Sequence, residues 1–225
     1  GTIQTGLGTV KADINLKLQN PKYPIYSGTV STQGLNLGPL LRDENLGYVS
    51  LNATLKGAGF KPNSGTIALD ARIKHIDYKK YRYQNITLDG ELNKRIFDGS
   101  VIINDPNAQL NINGLADFSK KVPEFNFLAN IDTLNLNNTQ LFRENLAFSG
   151  KVNAEFKGNT IDDFLGNASI TNASLTRNGF PLSFDSLSIN STITDSTANK
   201  HLSIASNEFS IDIDGVFNIR DLPNS

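Results

Sequence analysis

Three residue types are missing from this chain: cysteine, methionine and tryptophan are each absent from its 225 residues. Without cysteine there is no disulfide framework and no thiolate metal site. Because methionine is missing even at position 1, we expect the sequence to be a mature or excised piece of a longer chain. The sequence therefore makes no prediction about signal or membrane segments in the parent protein.

The chain also has no excess of charge of one sign and no long apolar run. Lys and Arg number 21 against 22 Asp and Glu. The basic patch typical of nucleic-acid binders is therefore not expected, and we predict no nucleic-acid partner. No apolar run approaches the roughly 20 residues that a membrane-spanning helix needs.

The sequence motifs of common enzymes are also missing. The chain contains no nucleophile elbow, no phosphate-binding loop and no dinucleotide-binding glycine motif before a helix. Its two histidines, His75 and His201, lie far apart in the sequence and have none of the spacing of a zinc helix. We expect both to be surface or hairpin residues.

Two pairs of acids have simple structural explanations. Asp162 and Asp163 suit the first turn of a short helix, where carboxylates are favourable. Asp212 and Asp214 share the polar side of a strand, without the glycine-rich repeats of a calcium site, and we expect them to be solvated. The chain is therefore predicted to have no enzymatic activity and no cofactor.

The chain does have alternation of apolar and polar residues, most clearly between residues 64 and 117. Period-two alternation is typical of strands that are buried on one face. Polar residues 77–80 and the Asp-Pro-Asn of residues 105–107 are typical of turns. This stretch predicts four strands in a meander.

Three short segments are expected to depart from strand. Residues 37–43 suit a single helical turn with proline near its start. Residues 138–142 are predicted to form a second such turn. Residues 160–166 predict a short helix with Thr160 as its cap and Gly166 after its end.

The same pattern occurs twice in the chain. Gly65 corresponds to Gly166 and Gly114 to Gly215, both at an offset of 101 residues, and the offset elsewhere is 99 to 101. We therefore predict tandem repeats of about 100 residues within one continuous β module, residues 1–225. Residues 1–23 end a preceding repeat, residues 24–122 form one copy and residues 123–223 the next. The predicted fold class is all-β: an elongated, curved, mainly antiparallel sheet of fourteen to eighteen strands.

The order of these elements resembles the middle region of the TamB/AsmA-like family of Gram-negative envelope proteins. The matching elements are Leu35 to Leu41, Val49 to Leu55, Gly65 to Ile73, Tyr78 to Gly90, Asp105 to Leu110 and Gly114 to Phe118. The resemblance covers nearly the whole chain as a pattern of individually unspecific residues. The second copy departs from it, because Thr176 to Pro181 replace the tyrosines and the Asp-Pro-Asn is missing.

The resemblance implies a sheet folded into a trough with an apolar interior, a β-taco. It implies a periplasmic segment of an inner-membrane-anchored, bridge-like protein that carries phospholipid acyl chains between the two membranes. It also implies a role in protein translocation and assembly at the outer membrane, with a BamA-like (TamA-type) partner contacted through other parts of the parent protein.

The apolar residues of the alternating strands are the candidate groove lining and lipid-binding residues. They are Ala12, Ile14, Leu16, Leu51, Ala53, Leu55, Ile67, Leu69, Ala71, Ile73, Ile86, Leu88, Leu110, Ile112, Phe127, Ala129, Val152, Ala154, Leu187, Ile189, Ile211 and Ile213. We expect lipid headgroups at the open rim, among polar residues such as Lys11, Asp70, Arg72 and Lys74 or others on nearby loops.

Two alternatives stay open. The same apolar faces suit a structural or adhesive β-sandwich repeat, in which two sheets close on each other about 10 Å apart and leave no groove. The run of tyrosines and basic residues at positions 78–83 suits either an aromatic hairpin or a contact with bases or lipid headgroups.

Overall fold

The computed structural model of the chain describes residues 1–18, 23–61, 63–159, 161–194 and 199–217. The described strands are β1 (Thr2–Thr5), β2 (Gly8–Lys17), β3 (Ile25–Asn36), β4 (Leu46–Ala58), β5 (Thr66–Tyr78), β6 (Tyr81–Asn93), β7 (Ile96–Asp105), β8 (Ala108–Asp117), β9 (Glu124–Asn135), β10 (Leu146–Lys157), β11 (Leu165–Arg177), β12 (Phe180–Ile193), β13 (Lys200–Ser206) and β14 (Ser210–Gly215). Helix α1 (Leu37–Leu41) follows β3, and a 3-10 helix (Ile161–Asp163) precedes β11.

All fourteen strands belong to one antiparallel sheet, and their order in the sheet is their order in the sequence. At about 4.8 Å per strand, the sheet extends about 60 Å across its strands. It is curved and open, with β1 and β14 at its two ends. The predicted fold class is confirmed: the chain forms an elongated, curved antiparallel sheet with the shape of a trough.

The connections between strands lie along two long sides of the sheet, because successive strands run in opposite directions. We call the side with the β4–β5, β6–β7, β8–β9 and β10–β11 connections the first rim. The side with the β3–β4, β5–β6, β7–β8 and β9–β10 connections is the second rim. Each strand packs mainly against its neighbours in the sequence.

The meander predicted between residues 64 and 117 is confirmed as β5 to β8. Its first turn is the two-residue turn Lys79-Lys80, in which both residues have positive φ, 48° and 67°. Lys94 and Arg95 form an equivalent turn between β6 and β7, with φ of 49° and 72°. These dihedrals belong to the type I′ turn, whose twist matches that of paired strands.

Helix α1 confirms the helical turn predicted at residues 37–43, but the turn predicted at residues 138–142 is wrong. Residues 136–140 form hydrogen-bonded turns instead, and the Leu136 carbonyl accepts hydrogen bonds from the amides of residues 141 and 142, both at 2.9 Å. The Asn135 side chain accepts from the Asn138 amide at 2.9 Å, and the Asn137 side chain donates to the Arg143 carbonyl at 2.7 Å. The Thr139 amide donates to the Asn135 carbonyl at 3.1 Å as in one turn of helix, but residues 141 and 142 share one carbonyl, so the turn does not continue as a helix.

The helix predicted at residues 160–166 is shorter than expected. Its helical part ends at Asp163, and Leu165 and Gly166 belong to β11, where they pair with Lys157 and Phe156. The predicted cap, Thr160, and the end of the second repeat at residue 223 lie outside the described residues. The division into repeat copies stays a prediction.

Two kinds of irregularity accompany the curvature of the sheet. Near the second rim, the register shifts between Thr32 and Leu35, between Gln109 and Leu110 and between Ser149 and Lys151. Bulges of this kind bend a strand and increase its twist. Near the first rim, glycines from three adjacent strands oppose one another: Gly90, Gly99 and Gly114.

Gly99 shows why a side chain does not fit in this glycine row. A Cβ built on Gly99 would lie 2.3 Å from the Asp89 carbonyl oxygen and 2.9 Å from the Phe97 ring. The backbones approach closely here, and the Phe97 ring lies against the bare backbone. A glycine in such a place permits a bend that a side chain would prevent.

We expect Gly99→Ala to lower the free energy of unfolding by about 1–3 kcal/mol, because its methyl group would meet a backbone oxygen that cannot move aside alone. Urea unfolding followed by circular dichroism measures the change. Gly6→Ala is the matched control, since a Cβ at Gly6 has nothing within 4 Å. If both substitutions have equal effects, the close approach at Gly99 does not matter for stability.

We expect Leu69→Asp to lower the free energy of unfolding by about 2 kcal/mol, because it places a charge on the half-buried apolar side of β5. The control is Asn52→Asp, which adds the same charge on the exposed polar side, opposite Arg72. It should change stability by no more than about 0.5 kcal/mol. Stability of Leu69→Asp within error of the parent would contradict the assignment of the two faces.

Candidate functional site

The strand register places every candidate groove residue on one face of the sheet, which we call the apolar face. Directly opposed residues of antiparallel strands have side chains on the same side. Following opposed pairs from strand to strand gives one continuous row across eleven strands. It consists of Ala12, Val30, Ala53, Ala71, Leu88, Val101, Ile112, Ala129, Val152, Ile170 and Leu187.

Three further rows lie parallel to this one. The first contains Ile14, Leu55, Leu69, Phe127, Ala154, Ile189 and Ile211. The second contains Leu16, Ile67 and Ile213, and the third contains Leu51, Ile73, Ile86 and Leu110. The rows also include residues that are not among the candidates, such as Val30, Val101 and Ile170. Their alternation with polar neighbours was the sequence signal that could have found them.

The apolar face is less exposed than the polar face, although no second sheet covers it in the described part of the chain. Leu88 and Ile112 are half-buried, whereas their sequence neighbours Asp89 and Asn111 are exposed. Neighbouring apolar side chains within and between the rows cover one another, which accounts for this lower exposure. Candidates near the two ends are more open: Ile14 is 40% exposed and Ile211 is 47% exposed.

Phenylalanines concentrate on the apolar face near the first rim. Five of them form the phenylalanine cluster: Phe118, Phe125, Phe127, Phe156 and Phe164. Phe156 is central, because its ring centroid lies 5.0 Å from that of Phe125 and 5.0 Å from that of Phe164. Of these five, only Phe127 was among the candidates. The others lie close to turns, where alternation is harder to follow.

A loop covers the apolar face near the second rim. The Tyr83 hydroxyl donates to the Thr139 carbonyl at 3.3 Å, although three strand positions separate β6 from β9. The Asn138 side chain donates to Asn107 at 2.8 Å. The β9–β10 loop therefore folds back over the β7–β8 turn. Ala108 is fully buried beneath the loop, and Thr139 of the loop itself is also fully buried.

The tyrosines of residues 78–83 have structural roles in the hairpin. Tyr78 opposes Tyr81, and the rings of Tyr81 and Tyr83 meet edge to face with centroids 4.7 Å apart. Tyr81 donates to the buried Asp105 carboxylate at 2.5 Å, and Asp105 also accepts from the Gln84 amide at 3.0 Å. Burial raises the pKa of Tyr83 above its ordinary value, and burial with the Asp105 hydrogen bond does the same for Tyr81.

The polar residues that we expected at the open rim are not there. Lys11 lies in the middle of β2 and Arg72 in the middle of β5, both on the face opposite to the apolar one. Asp70 and Lys74 share that polar face. The prediction was wrong because alternation shows which face a residue lies on, but not how far it is from a rim. Shallow depressions on this polar face are lined by such residues, including Asp70 and Arg72.

Asp212 and Asp214 are exposed, as expected, and both also lie near His201. His201 lies opposite Asp214, and its Nδ1 is 2.8 Å from the Asp214 carboxylate, while its Nε2 is 3.5 Å from Asp212. Among the described residues, no group of three or more His, Cys, Asp or Glu side chains is arranged to hold a metal ion. His75 lies in β5 and has no part in this cluster.

Comparisons with protein-family models, with curated proteins and with solved structures find no match. The resemblance to the TamB/AsmA-like family therefore stays a prediction from the sequence. No helix in the described ranges is long and apolar enough to cross a membrane.

We expect Tyr83→Phe to lower the free energy of unfolding by about 1 kcal/mol, because it removes the hydrogen bond that holds the β9–β10 loop over the apolar face. Tyr48→Phe, at a half-exposed ring, should have little effect. The raised pKa of Tyr83 adds a pH signature, since the unfolded chain loses this proton first. Stability should therefore fall above about pH 10, and less steeply in Tyr83→Phe than in the parent. Urea unfolding at several pH values from 8 to 11 measures this. If stability falls equally steeply with pH in the parent and in Tyr83→Phe, the assignment is wrong.

Proposed function

We propose that the apolar face is a groove for lipid acyl chains and that the chain is a segment of a lipid conduit. The observation that carries the proposal is the continuous apolar row from β2 to β12, which no second sheet covers in the described part of the chain. Large uncovered apolar surfaces on proteins usually serve binding. A row that runs across the strands offers a long, linear apolar path.

The energetics suit transport better than storage. Burying a methylene group is worth about 0.8 kcal/mol, so a sixteen-carbon tail that leaves water for the groove gains on the order of 12 kcal/mol. A bilayer offers nearly the same gain. The net free energy of moving a tail from a bilayer into the groove is therefore small, and the tail can move between neighbouring apolar positions without a deep minimum.

The resemblance to the TamB/AsmA-like family supports the wider setting of this proposal. In that setting the chain lies in the periplasm as part of an inner-membrane-anchored protein, and phospholipid is the cargo. A BamA-like outer-membrane partner and a role in outer-membrane protein assembly belong to the same proposal. The structural or adhesive repeat remains the competing function, and the open sheet favours the groove over a closed sandwich.

Site-specific photo-crosslinking tests the groove. A photoreactive amino acid at Leu88 or Ile112, which share the central row, is expected to crosslink phospholipid in cells that contain the protein. Asp89 and Asn111 are matched controls, because each follows or precedes a test position and faces the opposite side. Lipid adducts are read by mass spectrometry.

We expect adducts from Leu88 and Ile112 at several times the yield obtained from Asp89 and Asn111. Equal yields from both faces would mean that lipid contacts the surface without using the groove. No adducts from the apolar face would leave the structural repeat as the better function.

A further inference from the structure

Basic residues occupy three successive connections of the first rim. Lys61 lies between β4 and β5, Lys94 and Arg95 form the β6–β7 turn, and Lys120 and Lys121 lie between β8 and β9. All five side chains are exposed, and the sequence of these three connections contains no acid. Alternate connections of a meander are about 10 Å apart, so the positive charges form a line along the rim.

Few ion pairs involve these basic residues, although Lys94 lines a depression together with Glu91 and Asp98. Lys120 forms an ion pair with Glu124 and lies 3.8 Å from Asp117. Within the described ranges, Lys94, Arg95 and Lys121 have no carboxylate within the 4.0 Å of an ion pair. This part of the rim therefore presents net positive charge, although the whole chain has a formal net charge of −1.

The second rim differs in both charge and access. Over all described connections the second rim has Arg42, Lys79, Lys80 and Arg143 against Asp43, Glu44, Glu144 and Glu208, whereas the first rim has its five basic residues against Asp162 and Asp163. Between β4 and β9 the second rim has two basic residues, Lys79 and Lys80, against five on the first rim. At β6 to β9 the β9–β10 loop also lies over the apolar face, held by the Tyr83 to Thr139 hydrogen bond. The same four strands have their basic connections at the first rim.

The basic turns lie beside the most aromatic part of the apolar face. Arg95 is two residues from Phe97, which is opposed through Ala116 to Phe125 of the phenylalanine cluster. Lys120 and Lys121 lie between Phe118 and Phe125, whose rings are in contact at 5.9 Å. A tail on these rings therefore ends at the rim that carries the basic turns.

We propose that the first rim between β4 and β9 binds the phosphate headgroup of an amphiphile whose tail lies in the groove. The proposal rests on the groove function and adds to it the residues that hold the phosphate and the side of entry. Lysine and arginine near a surface each attract anionic headgroups, and arginine also bonds phosphate through two donors. The second rim, which is less basic over the same strands and covered by the β9–β10 loop, holds the tail side.

The test uses two single-chain amphiphiles with the same tail: lysophosphatidylglycerol, which has a phosphate, and monoacylglycerol, which has none. Binding to the 225-residue chain is measured by titration calorimetry below the micelle concentration. The rim variant is Lys94→Glu with Arg95→Glu. The matched control is Lys79→Glu with Lys80→Glu, an equally basic turn of the same type on the second rim.

We expect the parent to bind lysophosphatidylglycerol about tenfold more tightly than monoacylglycerol. The rim variant should lose that difference, and the control variant should keep it. Inorganic phosphate should not compete at millimolar concentration, because without a tail it gains nothing from the groove. Competition by free phosphate would overturn the proposal in favour of an independent anion site.

The other outcomes separate this inference from the groove function. If both amphiphiles bind the parent equally, the groove stands and the headgroup site is wrong. If the two variants lose affinity equally, the charge effect is general and the rim assignment is wrong. If neither amphiphile binds the parent, the groove function itself fails and this inference fails with it.

Discussion

Backbone pairing between strands that are neighbours in the sequence is the interaction on which the whole structure depends. Each described strand after the first pairs with the strand before it in the sequence. A series of opposed residue pairs therefore fixes which side of the sheet is apolar from β2 to β12. Side chains alternate with a period of two, and a slip of one residue in any pair would invert the faces beyond it. The bulges near the second rim do not invert the faces along the central row, because they lie between that row and the rim.

Much of the fold could be predicted from the sequence, since alternation is a local signal and a meander needs only local connections. Ile67 to Ile73 and their partners in β6 were placed on the correct face for this reason. Features that depend on position along a strand could not be predicted. Arg72 has the expected face but lies far from the rim, and Asp214 meets His201 only because of the β13–β14 register. Residues 138–142 do not form the expected helical turn because the amides of residues 141 and 142 share the Leu136 carbonyl.

The candidate site combines features that have different origins. The apolar rows follow from alternation, whereas the phenylalanine cluster depends on where turns bring rings such as Phe118 and Phe164 back onto the face. The two rims differ because one carries short basic turns and the other carries a long loop that Tyr83 holds down. An apolar surface with one charged side and one covered side suits an amphiphile better than a uniform hydrocarbon. That asymmetry is the main addition that the structure makes to the sequence.

The ordered, nearest-neighbour arrangement of the strands also has a mechanical consequence. A force that pulls the two ends of the sheet apart acts across the strands, and so it loads the hydrogen bonds of one strand pair at a time. Such a sheet opens like a zipper at low force, unlike a domain whose terminal strands are sheared side by side. Because each described strand is bonded only to its neighbours in the sequence, the strand pairs would open one after another and not all together.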